Sequence, residues 1–247
     1  MNRVRAGNVA RHAWWFRPRA APEGDPPGRT EAARRRWRPH PVAVVAVAGL
    51  AGSIPFSNLA ARMRAGVDLR DVGTGTVSGT ALFSVAGFGP LAAAGVCDVF
   101  KGSIGPVLAG RDRPALAAVA TGASVAGHNW SPWLRGAGGR GISPALGALV
   151  VRDWPGTVTL AIGLAAGRLA KHTGLGSFLA DVALVPVLHR TKGRAGAMIG
   201  AAVVGPLLAK RLMGNRPPDR PGPGVYFHRL VFDSDPAPAG AEAVAAR

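Results

Sequence analysis

The residues best suited to chemistry lie in one glycine-rich turn, Val72-Gly73-Thr74-Gly75-Thr76-Val77-Ser78-Gly79-Thr80. Glycines let the backbone approach a ligand closely, consecutive N–H groups can surround a phosphate, and Thr and Ser hydroxyls add donors. The pattern therefore favours a phosphate-binding loop, with Gly73, Thr74, Gly75, Thr76 and Thr80 as candidate binding residues. The same spacing also occurs in ordinary tight connections between packed elements, so the turn alone leaves a structural role open.

A second glycine-rich turn, Gly138-Gly139-Arg140-Gly141, comes directly before an apolar block. At the start of a helix, such a turn combines free backbone N–H groups, the positive end of the helix dipole and a fixed guanidinium, which together suit a phosphate. Gly138 and Gly139 are therefore candidate phosphate-binding residues, and Arg140 is a candidate catalytic residue. His128 could act as an acid, a base or a hydrogen-bond donor, although a single His at the end of an apolar block is more often structural.

Two charged residues, Asp98 and Lys101, interrupt another apolar block. Because they are three positions apart, they share one face of a helix and can form an ion pair. Charges at membrane depth are costly and are by default candidates for a functional site. Lys101 is therefore a further candidate phosphate-binding residue, with a structural ion pair near the membrane interface as the alternative.

Long apolar blocks must position these residues. The first, from 41 to 61, has about the twenty residues needed to cross ~30 Å of hydrocarbon at about 1.5 Å per residue. Others follow at about 85–109, 114–134, 141–151, 154–170, 174–189 and 195–209. The sequence therefore predicts an all-α, polytopic integral membrane helical bundle of about seven spans with glycine-rich cytoplasmic loops. Several blocks are shorter than a full crossing, so tilted or partial helices are expected among them.

The composition favours the same class of protein. The chain is 48% hydrophobic and 17% charged yet has a net charge of +17, so its apolar and basic residues must lie in separate stretches, as in a membrane protein with basic loops. The arginines are not interleaved with aromatic residues on any one element, so we expect no nucleic-acid partner. The single cysteine, Cys97, excludes an intramolecular disulfide and a cysteine cluster. We expect no metal and no cofactor.

Several short motifs, each weak alone, follow one another in a specific order over about residues 45–213. They are Gly52-Ser53-Ile54-Pro55-Phe56, Val67-Asp68-Leu69-Arg70, Val72-Gly73-Thr74-Gly75, Asp98-Val99-Phe100-Lys101-Gly102, Gly127-His128, and Gly138-Gly139-Arg140-Gly141-Ile142 with Ala145-Leu146-Gly147. In order and spacing they resemble the membrane-integral glycerol-3-phosphate acyltransferases that use acyl phosphate, the PlsY family.

This resemblance implies transfer of a fatty acyl group from acyl phosphate to the 1-hydroxyl of glycerol 3-phosphate, giving lysophosphatidic acid in phospholipid biosynthesis. It implies a monomeric, multi-pass protein of the plasma membrane whose active site faces the cytoplasm. The implied catalytic residues are Ser53, His128 and Arg140, with the Gly73–Thr80 loop and Arg140 holding phosphate groups and the apolar helices surrounding the acyl chain. Because an acyl phosphate already has a good leaving group, a cationic pocket rich in N–H donors can do most of the work.

The chain departs from the family pattern at several positions. Ala81 stands where the family's loop ends in Asn, and Ser84 stands where the family has Arg. The family's C-terminal His-Arg-x-Asn segment is missing, with Gly205 and Leu208 near those places. These changes keep open an alternative function, that of a non-catalytic or substrate-altered relative that binds a phosphorylated lipid or a partner in the membrane.

The two ends of the chain differ from its apolar middle. Residues 1–40 are rich in Arg and Pro, which predicts a disordered arm, and residues 41–213 form the expected membrane-embedded domain. The Pro-rich residues 214–247 are expected to be a disordered tail. Within that tail, His228 and Asp233 have the His-x4-Asp spacing of a different acyltransferase class, and we set this match aside as chance because both lie outside any apolar block.

Overall fold

The computed structural model describes residues 38–236, and within them every regular element is helical. Almost all of the arm expected at 1–40, and the last residues of the expected tail, lie outside this range. The α-helices are α1 (Pro41–Ser53), α2 (Phe56–Ala65), α3 (Gly79–Ala86), α4 (Phe88–Ala109), α5 (Pro114–Asn129), α6 (Ile142–Arg152), α7 (Trp154–Leu169), α8 (Thr173–Met213) and α9 (Pro223–Phe232). Short 3₁₀ turns at Leu69–Asp71 and Pro132–Leu134 lie in the loops.

Proline and glycine set the main breaks between helices. Pro55 separates α1 from α2, because proline lacks an N–H and disfavours helical geometry in the residue before it. In α8, Gly193 has a non-helical conformation with φ 60° and ψ −144°. A Cβ placed on Gly200 would lie 3.2 Å from the Cα of Val185, a contact that a straight helix could not make. The chain therefore folds back at Gly193, and α8 is a helical hairpin with limbs 173–192 and 194–213.

Within residues 38–236, three segments are long and apolar enough to cross a membrane by length and composition: Pro41–Ala65, Phe88–Ala109 and Thr173–Met213. The other predicted apolar blocks also form helices, but these are shorter; α6 has only 11 residues. The all-helical membrane class predicted from the sequence is thus confirmed, while the count of seven spans stays a prediction.

The core lies where the α8 hairpin packs against α5, α6 and α7. Its buried side chains include Val125, Leu149, Leu160, Leu184, Leu188, Ile199 and Val203. Glycines allow other helices to cross closely: a Cβ on Gly52 of α1 would lie 2.2 Å from the carbonyl oxygen of Ser124 in α5. A Cβ on Gly147 of α6 would lie 1.8 Å from the carbonyl oxygen of Val99 in α4. Small residues at such crossings are typical of helix packing in lipid.

The connections gather at two opposite ends of the helices. At one end, the N–H of Val77 donates to the carbonyl of Gly138 at 3.1 Å, joining the two glycine-rich loops. At the other end, Arg113 donates to the carbonyl of Pro39 at 3.0 Å, and Arg152 donates to that of Gly110 at 2.8 Å. The candidate phosphate loops therefore share one end of the bundle, which we call the loop end.

The expectation of a disordered tail is wrong for residues 214–236. This segment contains the ten-residue helix α9, and Pro223 is the first residue of this helix. The helix packs on the start of α8, where a Cβ on Gly174 would lie 2.1 Å from the carbonyl oxygen of Phe232. The Pro-rich composition conceals this helix, because a proline in the first turn costs no helical hydrogen bond.

Candidate active site

A cavity of about 630 Å³ opens at the loop end of the bundle. It is lined by both glycine-rich loops, by the starts of α3, α6 and α8, and by the end of α9. Its polar lining includes Ser57, Thr74, Thr76, Ser78, Thr80, Ser84, Asp98, His128, Arg140, Ser143, Thr173, Ser177 and Asp233. Among the described residues 38–236, no group of three or more His, Cys, Asp or Glu side chains is arranged to hold a metal ion.

Backbone geometry shapes the first glycine-rich loop. Gly73 and Gly75 have φ of 53° and 71°, the left-handed region that favours glycine, and the N–H of Gly75 donates to the carbonyl of Val72 at 3.0 Å. Of the five candidates in this loop, Gly73, Thr74, Thr76 and Thr80 line the cavity. Gly75 instead packs against Arg216, whose Nε lies 3.1 Å from where a Cβ of Gly75 would be, so it serves the turn itself.

The sequence predicts free backbone N–H groups in the second glycine-rich loop, but in the structure two of these groups already have partners. The N–H of Gly138 donates to Oδ1 of Asn215 at 3.2 Å, and that of Gly139 donates to the carbonyl of His128 at 3.2 Å. Neither N–H is therefore free for a ligand. Both glycines permit close packing instead, because a Cβ on Gly138 would lie 2.3 Å from the carbonyl oxygen of His128 and one on Gly139 would lie 2.2 Å from its Nε2.

Arg140 places its guanidinium in the cavity wall, as the sequence predicts. Its Nη1 donates to the carbonyl of Lys210 at 3.3 Å, and its Nε lies 3.1 Å from Oδ2 of Asp233. Burial lowers the pKa of Arg140, and the neighbouring Asp233 carboxylate raises it and partly offsets that effect. Guanidinium remains charged at any physiological pH, so the cavity has a fixed cation.

The predicted ion pair between Asp98 and Lys101 is confirmed, with 2.7 Å between Oδ1 and Nζ. The Lys101 ammonium also donates to the carbonyl of Ile54 at 2.6 Å and does not line the cavity. The structure therefore places Lys101 beside Asp98, and its role as a phosphate ligand stays a prediction. Asp98 does line the cavity, and its Oδ1 lies 3.7 Å from Nδ1 of His128. Lys101, Asp98 and His128 thus form a chain of side chains from the core to the cavity.

Ser53 does not lie in the site. It is buried, its hydroxyl donates to the carbonyl of Leu50 at 2.7 Å, and it accepts from Nε1 of Trp133 at 2.9 Å. Its carbonyl accepts from Ser131 at 2.6 Å. These bonds engage its hydroxyl in fastening the loop after α5 to the end of α1. Ser53 does not line the cavity, and its catalytic role stays a prediction.

Two residues that organise the site were missed in the sequence. Asn215 follows α8; its Nδ2 donates to the carbonyls of Gly75 at 3.0 Å and Gly138 at 2.8 Å, and its Oδ1 accepts from Lys210 at 2.5 Å. Asp233, set aside as part of a chance spacing, contacts Arg140. The sequence gives only weak signals for these two residues. Asn215 is an amide directly after the glycine that ends a helix, and Asp233 is an acid at the end of a short apolar run.

The chain is similar to known proteins over most of its described residues. A family model described as glycerol-3-phosphate acyltransferase matches residues 42–215. A glycerol-3-phosphate acyltransferase of Synechococcus sp. (strain CC9902) is 33% identical over 168 residues, covering 67% of this chain and 84% of that protein. Another, from Thermus thermophilus, is 38% identical over 156 residues, covering 60% of this chain and 75% of that one.

The fold is also similar to a solved structure. The crystal structure of PlsY, an integral membrane glycerol 3-phosphate acyltransferase, in its glycerol 3-phosphate form superposes with a TM-score of 0.65 at 20% identity. The match covers 83% of this chain and 98% of that one. From the family match and the relatives together, the chain belongs to the glycerol-3-phosphate acyltransferase family.

Proposed function

We propose that the protein transfers a fatty acyl group from acyl phosphate to the 1-hydroxyl of glycerol 3-phosphate, giving lysophosphatidic acid. The observation that carries this proposal is the convergence of Arg140, two helix N-termini and several hydroxyls on one cavity at the loop end. Family membership supplies the reaction class, and the cavity supplies groups suited to it.

Phosphate groups are held by three kinds of donor. Gly79 begins α3 and Ile142 begins α6, and both line the cavity, so the positive ends of two helix dipoles face it. Arg140 adds a partly buried guanidinium, which favours phosphate through paired hydrogen bonds. The hydroxyls of Thr74 and Thr76, 3.0 Å apart, add further donors.

In the proposed reaction, the 1-hydroxyl oxygen attacks the acyl carbon, the new ester bond forms, and the bond from that carbon to the phosphate oxygen breaks. Overall, the hydroxyl proton ends on the released phosphate, so the transfer consumes no water and needs no redox partner. Arg140 and the helix N-termini stabilise the negative charge that builds up on the reacting oxygens, in a site where they are already oriented.

His128 orients the acceptor hydroxyl in this proposal. Its ring lies in the cavity wall between the Asp98 carboxylate, 3.7 Å from Nδ1, and the backbone of Gly139. Lys101 fixes Asp98 from the core side. A histidine held in this way can hydrogen-bond a hydroxyl without moving, which favours attack from a defined direction.

The acyl chain lies in a groove between α4 and α6. The groove has a volume of about 480 Å³ and its lining is almost entirely apolar: Val96, Val99, Phe100, Val150 and Val151, with Gly95, Ser103 and Gly147. Gly95 also lines the main cavity, so the groove joins the site there. A chain leaving the reacting carbon can thus lie along apolar side chains that face lipid.

We further propose that the protein works as a monomer in the plasma membrane with the loop end in the cytoplasm. Among residues 38–236, the loop end has more of the basic residues than the opposite end, as the positive-inside rule requires of the cytoplasmic side. Those of the loop end are Arg62, Arg64, Arg70, Arg135, Arg140, Arg168, Lys171, Lys210, Arg211, Arg216, Arg220 and Arg229, against Arg38, Arg111, Arg113, Arg152, Arg190, Lys192 and Arg194.

Conversion of radiolabelled glycerol 3-phosphate into a solvent-extractable lipid tests the activity. Purified protein in detergent with palmitoyl phosphate should form this product, and Arg140→Ala should lower kcat/KM by about a hundredfold or more, the effect of losing one preorganised charge donor. Arg111→Ala, which removes an exposed arginine far from the cavity, is the matched control and should retain activity. No product from folded wild-type protein would contradict the proposal.

A second candidate, a non-catalytic relative that binds a phosphorylated lipid, is favoured by Ser84. This residue lines the cavity where the family has Arg, and its hydroxyl donates to the carbonyl of Ala81 in its own helix at 2.8 Å. The cavity therefore has one cation fewer. Binding of glycerol 3-phosphate without formation of product, in the same preparation, would favour this candidate.

A further inference from the structure

The cavity has one wall that lies outside the family match. That match ends at residue 215, whereas α9 and the residues after it continue to the loop end. Phe232 and Asp233 of this segment line the main cavity. A residue beyond the family region thus faces the proposed phosphate site.

Asp233 occupies one side of the Arg140 guanidinium. Its Oδ2 lies 3.1 Å from Nε of Arg140, and its backbone carbonyl accepts from Nη2 at 3.3 Å. Nε and Nη2 form the edge of a guanidinium that gives two parallel hydrogen bonds to a carboxylate or phosphate. Asp233 therefore holds two acceptors where an oxyanion would bind.

This contact is weaker than a neighbouring one in the same segment. Only one Asp233 carboxylate oxygen faces Arg140, and the other, Oδ1, is buried without a hydrogen-bond partner. In contrast, both carboxylate oxygens of Asp235 accept from Arg229. Burial raises the pKa of Asp233, consistent with a poorly solvated carboxylate. A phosphate, with more oxygens than one carboxylate, can satisfy Arg140 better.

The helix does not depend on Asp233 for its position. Arg211 donates to the carbonyl of Leu230 at 3.2 Å, and Nη2 of Arg229 donates to the carbonyl of Arg216, which follows α8, at 3.2 Å. Asp233 itself comes directly after α9 in the left-handed conformation, with φ 61°. Its side chain can therefore leave Arg140 while α9 stays in place.

We propose that Asp233 competes with the substrate phosphate for Arg140 and thereby sets the apparent affinity for the phosphate-bearing substrate. This inference rests on the proposed function, which makes Arg140 a phosphate ligand. When a ligand binds only after a competitor has left, its apparent affinity is its intrinsic affinity multiplied by the fraction of molecules in which the site is free. Removing the carboxylate should therefore strengthen substrate binding.

Asp233→Asn tests the proposal, because Asn has the same size and tolerates the left-handed conformation. In the full-length purified protein, we expect KM to fall about three- to tenfold for the substrate whose phosphate Arg140 holds, glycerol 3-phosphate or palmitoyl phosphate. Asp219→Asn removes the same charge from an exposed position of the same segment and should leave both KM values unchanged.

Three results would overturn the proposal: unchanged KM values, higher KM values that make Asp233 a residue positioning Arg140, or an equal fall in Asp219→Asn. Calorimetric titration with inorganic phosphate separates this test from that of the function, because it requires no turnover. If no variant forms product, the proposed function fails. Tighter phosphate binding by Asp233→Asn than by wild type would still support competition, and equal or weaker binding would refute it.

Discussion

At the scale of single residues, one amide joins the parts of the site. Asn215 donates to the carbonyls of Gly75 and Gly138, one in each glycine-rich loop, and accepts from Lys210 and the N–H of Gly138. Each loop reaches the cavity from a different part of the chain, so their relative position depends on this side chain. Asn215 is half-buried, and polar groups shielded from water are costly to leave without partners.

We expect Asn215→Asp to lower the free energy of unfolding by about 1–3 kcal/mol, because the substituted side chain faces two carbonyls without a donor. It should also reduce acyl transfer, since both phosphate loops lose a common anchor. The change retains an acceptor for Lys210 and the Gly138 N–H, and the new carboxylate also pairs with the Lys210 ammonium, so the measured loss is that of the two donated bonds less the gain from this ion pair. Thermal melting in detergent measures the first effect, and an unchanged melting temperature together with full activity would show that the amide does not hold the loops.

At the scale of elements, α4 connects the reacting groups to the proposed acyl groove. Asp98 lies on this helix in the cavity wall, and Gly95, about one turn earlier, lines both the cavity and the groove. A Cβ on Gly95 would meet no heavy atom within 4 Å, so a side chain can start there without a clash at its Cβ. The space that it would fill is the passage between the phosphate site and the groove.

Gly95→Leu should therefore fold normally, since leucine is also the better helix former. It should lower kcat/KM for palmitoyl phosphate by about tenfold and affect a short-chain acyl phosphate much less, because only the long chain must pass this point. Gly89→Leu, at another open position of α4 that does not line the cavity, is the matched control. Equal losses with long and short donors would place the acyl chain elsewhere.

Helices were predictable where a local pattern determines them. The apolar blocks form α1 and α4–α8, because their side chains have to be shielded from water. Asp98 and Lys101 form the predicted ion pair, because residues three positions apart lie on the same face of a helix. The helix α9 was missed, because ten residues within a Pro-rich segment have too weak a pattern on their own.

The partners of the site residues could not be read from local spacing. Asp233 meets Arg140 across 93 positions, and Asn215 meets Gly75 across 140. Such pairs depend on how the helices pack. The same holds for Ser53, whose motif indicates chemistry while its hydroxyl is engaged by Leu50 and Trp133.

At the scale of the whole molecule, the two ends of the bundle should lie on opposite sides of the membrane. Arg64, at the end of α2, belongs to the loop end, and Arg111, between α4 and α5, belongs to the other. Both are exposed. With Cys97→Ala as background, Arg64→Cys and Arg111→Cys each give one reactive thiol.

A membrane-impermeant maleimide should label Arg111→Cys in intact cells and Arg64→Cys only after the membranes are opened. This outcome follows from placing the more basic loop end in the cytoplasm. The reverse pattern would put the cavity outside the cell, and labelling of both thiols in intact cells would contradict a transmembrane arrangement of these ends.

The most direct test of the central claim, acyl transfer from acyl phosphate, is release of inorganic phosphate from palmitoyl phosphate by the purified wild-type protein, with and without glycerol 3-phosphate. Our account predicts release that requires the acceptor and equals the lysophosphatidic acid formed, mole for mole. Release that is independent of glycerol 3-phosphate, or none from a well-folded sample, would contradict it.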